Sequence, residues 1–217
     1  ADLLLQQDVS RKERQSLAAS FVRGNIHNMR TNVTYYDSRE YELGDVIEEL
    51  DNATARIDDA SDISELMGVE ATARRAYYQT FEAVLPDSFA FDGREYNPPP
   101  NPVNALISFG NSMVYANCVS AIRATALDPT ISYLHEPGER RYSLSLDIAD
   151  LFKPVLTDRL LFRLVNRKQI SRDDFRDEVG SCLLNEEGRT TFLKKFEETL
   201  ERTVEHPTLN RKVSYQY

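Results

Sequence analysis

The sequence predicts an all-α fold, a helical bundle built around one long apolar central helix, and three observations predict it. Apolar residues recur three and four positions apart through most of the chain, the period that draws one stripe along a helix. Capping residues and prolines divide those stripes into segments. The segment 102–127 is apolar nearly all round, as a helix at the centre of a bundle is. With 217 residues and 41% hydrophobic content the chain is long enough for one large domain or two small ones. We read residues 1–217 as a single α-helical domain with a proline-rich loop at 87–102 inside it.

Ser10 with Glu13 forms a capping box, and Leu17, Phe21, Met29 and Val33 then recur at helical intervals, so a first helix is expected from about residue 10 to about residue 32. Asn25, His27 and Asn28 lie on its face; His27 reads as a satisfied or exposed helix histidine rather than a ligand. From about Leu43, the rhythm Val46, Leu50, Ala53, Ile57 marks a second helix with a solvated acidic side. Asp62, with Glu65 three residues on, opens a third, whose stripe is Leu66, Ala73, Tyr77, Phe81 and Val84, and Pro86 closes it. The stretch DSFAFDGREYNPPPNP is rich in turn formers and reads as a loop that becomes ordered against a partner. Pro102 suits the first turn of the long apolar helix, and Asp128-Pro129 stops it. His135 then precedes a Pro-Gly turn in a loop, where a side chain can be aimed. Ser143 or Ser145 can cap the next helix, in which Asp147 and Asp150 share a face near the first turn. For Asp147 the ordinary reading is capping and dipole compensation. Pro154 should kink that helix before Leu161, Phe162 and Val165 continue its apolar face. Ser171 with Asp174 opens a short helix, SRDDFRDEV, and Asn185 caps a last one over about 186–204.

The formal charge of -9 argues against a nucleic-acid partner, whose phosphates are met by basic surfaces. The acid is unevenly placed, however. Residues 39–62 are acid-rich, whereas Arg74, Arg75, Arg140, Arg141, Arg159, Arg163, Arg167 and Lys168 gather around the segments that carry the candidate site. Acid excess with scarce lysine is also the composition of a high-salt cytoplasm; activity or solubility lost above low salt would sink that hypothesis. Cys118 and Cys182 are isolated, which suits a reducing compartment and not a disulfide framework. No uninterrupted apolar run reaches the ~18 residues of a membrane span, and the start, ADLLLQQDVSRKE, has no signal-peptide pattern, so a cytoplasmic protein without a membrane is expected.

Glu70 lies on the apolar stripe of the third helix. A carboxylate there is costly unless it is paired, protonated or holding a metal, and His135 and Asp150 are the expected partners. Two carboxylates and an imidazole from three separate elements form a mixed oxygen-nitrogen set that suits magnesium or manganese; zinc suits it less without thiolates. The bland alternative is a buried Glu-His or Glu-Arg ion pair. A cation beside guanidiniums suits phosphodiester chemistry. GxxxxGKS, GxGxxG, GxSxG and HExxH are all absent from the sequence.

Five blocks, LAASFVRGNIHNMR (17–30), MGVEATARRAYY (67–78), PPPNPVNALISFGNSMVY (98–115), LDPTISYLHEPGERRYSLSLDIADLFKPVLTDRLLFRLVNR (127–167) and LLNEEGRTTF (183–192), resemble in order the signature blocks of the CRISPR adaptation integrase family, Cas-one. The resemblance covers nearly the whole chain. It implies a metal-dependent DNA endonuclease and integrase, using Mg2+ or Mn2+, that inserts spacer DNA into a CRISPR array by attack of a 3′-hydroxyl on a phosphodiester. The implied partners are double-stranded DNA, both prespacer and repeat, the Cas-two protein, and a second copy in the full-length protein. The family's catalytic, metal-binding glutamate falls on Glu70, its histidine on His135 and its second helix carboxylate on Asp150. Asp147 matches the first acidic residue of that helix, as a supporting ligand or hydrogen-bond acceptor, and Asn104 and Ser108 match positions around the site. Arg74, Lys153 and Arg163 are assigned to DNA phosphates.

Against the family pattern, nothing reads as its N-terminal β domain, the end is short, and Asn111 stands where an aromatic is common. The competing reading is a non-enzymatic helical module that binds nucleic acid or a partner protein, with Glu70 and His135 as a structural pair.

Overall fold

The computed structural model describes residues 11–136, 142–206 and 211–215, and over these the chain is mostly helical. Its α-helices are α1 (Arg11–Asp37), α2 (Gly44–Ala55), α3 (Ile63–Val84), α4 (Pro102–Arg123), α5 (Ser143–Phe152), α6 (Arg159–Asn166) and α7 (Glu186–Leu200). A π-helical stretch, Lys153–Asp158, joins α5 to α6. Two antiparallel hairpins stand on either side of α7: β1 (Phe175–Glu178) with β2 (Ser181–Leu184), and β3 (Thr203–His206) with β4 (Arg211–Ser214). Ser10, Pro137, Gly138, Arg140 and Arg141 lie outside the described residues.

Helix α1 packs on α2, α3, α5 and the π-helical stretch. Its buried stripe is Ala18, Val22, Ile26, Met29 and Val33, all 0% exposed, whereas Leu17 faces solvent. Of the expected stripe Met29 and Val33 are buried, while Ala18, Val22 and Ile26 take the inward positions in place of Leu17 and Phe21. A Cβ on Gly24 would stand 2.8 Å from Leu151, and Asn28 Nδ2 donates to the Leu151 carbonyl at 2.8 Å. Phe21 is only half-buried, its ring 6.3 Å from that of Tyr133.

Val46, Leu50 and Ala53 of α2, and Ile57 just past its end, are buried as their spacing predicts. Helix α3 starts as its capping sequence predicts: Glu65 N–H donates to Asp62 and Ser61 N–H to Glu65. Its inward face buries Glu70 on the expected stripe and adds Val69, Ala76 and Thr80.

The 87–102 loop does not need a partner to pack. Phe89 and Phe91 are 4% and 3% exposed, and the Phe91 ring lies 5.2 Å from Phe81, itself 4.6 Å from Phe162. Each such ring contributes about 2 kcal/mol by burial, enough to anchor a turn-rich segment. Arg94 fastens the rest, donating to Asn104 Oδ1 and Ser108 Oγ, both at 2.8 Å.

Pro102 is the first residue of α4, and Asn101 caps it. By length and composition α4 is apolar enough to cross a membrane; here it packs on α5, the π-helical stretch and β2. The approach is close, since a Cβ on Gly110 would stand 2.5 Å from Thr157 and 2.9 Å from Phe192.

Neither serine caps α5. Ser143 donates instead to the Thr130 carbonyl at 2.7 Å, and Ser145 is buried within the helix. Pro154 widens the chain into the π-helical stretch rather than bending a plain α-helix, and Asn32 Nδ2 takes up the Pro154 carbonyl at 2.8 Å. The expected helix over SRDDFRDEV is a 3-10 turn, Arg172–Asp174, followed by the exposed strand β1. The capping box is present, but the segment has no apolar face to bury as a helix, and β2 supplies hydrogen bonds instead. Gly180, at φ +73°, makes the turn. Helix α7 opens on Asn185 as expected and stops at Leu200, giving way to β3.

Candidate functional site

Four elements meet where the charged side chains cluster. Helix α3 contributes Glu70 and Arg74, one turn apart; α5 contributes Asp147 and Asp150; the 133–135 loop contributes His135, and Lys153 begins the π-helical stretch. Glu70 Oε1 accepts from Asn25 Nδ2 at 2.8 Å and from Arg74 Nη2 at 2.5 Å. Arg74 also reaches Asp150 Oδ1 at 3.7 Å, so one guanidinium links the two carboxylates. Lys153 Nζ donates to the same Asp150 oxygen.

Asp147 is fully buried and does not cap its own helix. Its Oδ2 accepts the backbone N–H groups of Tyr133 and Leu134 at 2.7 and 3.1 Å, and its Oδ1 that of His135 at 2.9 Å. The same Oδ1 lies 2.8 Å from His135 Nδ1. One carboxylate therefore shapes the loop and fixes the imidazole. With Nδ1 as the donor to Asp147, Nε2 carries the lone pair, and it faces Asp150 Oδ2 at 3.7 Å, longer than a hydrogen bond.

The electrostatics follow from this packing. The Asp147 hydrogen bond raises the His135 pKa; burial opposes it, and Asp150 and Glu70 add to the rise. Burial pulls Asp150 upward, but Lys153, Arg74 and His135 together hold its carboxyl below the usual range. Burial works against the Arg74 charge, yet Glu70 and Asp150 raise its pKa well above the ordinary value. Glu70, Asp147 and Asp150 face Arg74 and Lys153, so a neutral His135 leaves the cluster one negative charge in excess.

The sequence expectations fare unevenly. Glu70 and His135 do not form a pair: Glu70 takes Arg74 and Asn25, and His135 takes Asp147. The Glu-Arg pair of the bland alternative is present. Among the described residues no three His, Cys, Asp or Glu side chains stand in a ready-made ligand arrangement, because Arg74 lies between Glu70 and Asp150. Arg74 and Lys153 are turned toward carboxylates rather than outward, and the hydrogen bond of Arg163 goes to Thr199 Oγ1 at 3.0 Å. Asn104 is buried, accepting from Arg94 and Glu95 N–H and donating to the Gly93 carbonyl, so it secures the 87–102 loop. His27 is exposed. Both cysteines are free and buried, with thiols pushed up to about 11 by burial.

The sequence reading placed Asn25 on the face of the first helix without giving it a role, and it missed Asp158. Asn25 orients Glu70: it sits three residues after Val22 and four before Met29, a polar side chain on the buried stripe. Asp158 is buried beside Tyr77, and burial pushes its carboxyl up to about 7. A single aspartate inside a charged stretch gave no sign of that.

The donor set suits a hard divalent cation. It has carboxylates from two helices, an imidazole whose free nitrogen is selected by a second carboxylate, and a residual negative charge.

The profile of the family described as CRISPR associated protein Cas1 matches residues 3–198. The chain is 53% identical over 205 residues to a CRISPR-associated endonuclease Cas1 of Haloferax volcanii, covering 94% of this chain and 62% of that relative. A solved Cas1 structure from Thermotoga maritima superposes with a TM-score of 0.84 at 39% identity, over 93% of this chain and 64% of that one. Part of a structure titled a partial Cas6-RT-Cas1–Cas2 complex superposes with a TM-score of 0.85 at 25% identity, over 91% of this chain and 61% of that chain. The chain thus spans somewhat under two thirds of the length of these relatives.

Proposed function

The chain belongs to the Cas1 family, and from that premise we propose that it forms the catalytic part of a metal-dependent DNA endonuclease and integrase of CRISPR adaptation. The observation that carries this reading is the His135 arrangement. Asp147 fixes the ring so that Nε2 faces Asp150, with Glu70 joined to the same cluster through Arg74.

Glu70, Asp150 and His135 Nε2 would hold Mg2+ or Mn2+. Such an ion, when bound, polarises the scissile phosphate and favours the deprotonated form of an attacking hydroxyl. Asp147 keeps His135 in the required tautomer, and Asn25 keeps Glu70 turned inward. Arg74 and Lys153 balance the carboxylates and supply positive charge for a phosphate brought to the cluster. In the reaction a DNA 3′-hydroxyl attacks phosphorus, a new phosphodiester forms and the old P–O bond breaks. The hydroxyl proton is released, and the departing 3′-oxygen takes one up. One bond replaces another, so no external energy source is required.

The partners in this reading are duplex DNA, a Cas2 protein and a second copy of the longer protein, in the cytoplasm. The test is strand transfer of a labelled 3′-hydroxyl DNA into a repeat-bearing duplex, with Mn2+ or a chelator. We expect metal-dependent joining that His135→Ala abolishes while circular dichroism stays unchanged. Equal joining by the folded variant would reject this site and favour a different one, whereas a wild type that joins no DNA would favour the competing reading of a non-enzymatic helical module.

A further inference from the structure

A charged cavity lies apart from the carboxylate cluster. Its volume is about 590 Å³, and it is bounded by the π-helical stretch, α6, the end of α7 and the β3–β4 hairpin. Arg159, Arg163, Arg202, Thr199, Glu201 and Tyr215 stand on its wall. Among the described residues none of the three guanidiniums is paired with a carboxylate. Arg159 gives one N–H to the neutral side chain of Asn32, and Arg163 gives one to Thr199 Oγ1 at 3.0 Å. These bonds aim the guanidiniums without neutralising them.

That arrangement is unfavourable by itself. Burial, then Arg202 and Arg167, hold the Arg163 pKa below its ordinary value, against a smaller opposing effect of Glu198. Glu201 is the carboxylate on the wall, and it is exposed to water. In a chain with 35 acidic and 26 basic residues, carboxylates were plentiful, yet three arginines face one cavity unpaired. An anion relieves the repulsion. Guanidinium forks match the oxygens of phosphate, and Arg159 and Arg163, one helical turn apart, present two forks along one wall.

We propose that this cavity binds phosphate groups of a DNA backbone through Arg159, Arg163 and Arg202, as an anchoring contact separate from the carboxylate cluster. The proposal rests on the DNA reading above. It is tested by fluorescence anisotropy of a labelled mixed-sequence duplex across a salt series, in chelator so that the metal pocket plays no part. The proteins are the wild type, Arg163→Gln/Arg202→Gln and Arg163→Lys/Arg202→Lys. Losing two phosphate contacts lowers the slope of log K against log salt by about 2 and weakens binding about sixtyfold at 0.1 M salt. The lysine variant should keep the slope. Because Arg202 is exposed, Arg202→Gln alone should fold even if the double variant does not, and should lower the slope by about 1. Wild-type binding with an unchanged slope in the glutamine variants would overturn this proposal alone. A wild type that binds no duplex at all would overturn the DNA reading and this proposal with it.

Discussion

Asp147→Asn is the perturbation the structure makes most informative. The carboxylate is fully buried and meets four donors, with Tyr133 N–H and Leu134 N–H on Oδ2 and His135 N–H and Nδ1 on Oδ1. Asparagine has the same shape, but its amide group must point NH2 at two of those donors whichever way it is turned. Two charge-assisted hydrogen bonds are lost, at roughly 1.5–3 kcal/mol each, so the variant should lose roughly 3–6 kcal/mol. A domain stabilised by roughly 5–15 kcal/mol feels that strongly. The loss has a pH signature. Because the folded His135 pKa is raised above its ordinary 6.5, its contribution is fully present below 6.5 and disappears as pH rises through the folded value. The gap between wild type and variant should therefore be wider on the acid side of 6.5 than on the alkaline side. Urea unfolding on both sides of that value measures the gap, and the NMR titration of the His135 ring should show its pKa falling in the variant. An unchanged urea midpoint with an unchanged His135 titration would refute the assignment of Asp147 as the group that shapes the loop.

Other expectations concern the packing around the site. Burial pushes Asp158 up to about 7, so the native state keeps a proton that the unfolded chain releases near 3.8, and wild-type stability should fall relative to Asp158→Asn as pH rises between these values. Urea midpoints that run parallel for the two proteins would count against a buried, neutral Asp158. Gly110→Ala places a methyl group 2.5 Å from Thr157 and 2.9 Å from Phe192, and overpacking of this kind costs about 1–3 kcal/mol. An unshifted thermal midpoint would mean that α4 can part from its neighbours freely. Arg94→Ala removes the bonds to Asn104 and Ser108, so amide hydrogen exchange should quicken across 87–102 while the helices keep their protection. Unchanged exchange in the loop would show that Phe89 and Phe91 hold it unaided.

Much of this was legible in the residues because burial and periodicity speak the same language in a helix. Asp62, Pro102 and Asn185 mark their helix starts, and Glu70 declared itself by interrupting an apolar stripe. The parts that were not legible depend on contacts between distant segments. Arg172–Asp174 carries a capping box and still yields only one turn, because strand pairing with β2 decides the next four residues. The small size of Gly24 in α1 matters only once Leu151 is beside it. In the site, local reading favoured Asp147 as a cap, whereas its partners lie 12 to 14 residues away in the loop before α5. Arg74 is the clearest case. One turn from Glu70 it forms a helical ion pair that spacing permits, but its reach to Asp150 depends on how α3 meets α5.

The central claim is that Glu70, His135 and Asp150 hold one divalent cation. Calorimetric titration of Mn2+ into this chain and into Glu70→Ala, His135→Ala and Asp150→Ala, each checked for folding by circular dichroism, tests it most directly. The account predicts one site in the wild type and its loss in all three folded variants. Binding that persists unchanged in all three would contradict it, and would leave the buried charges as a structural network.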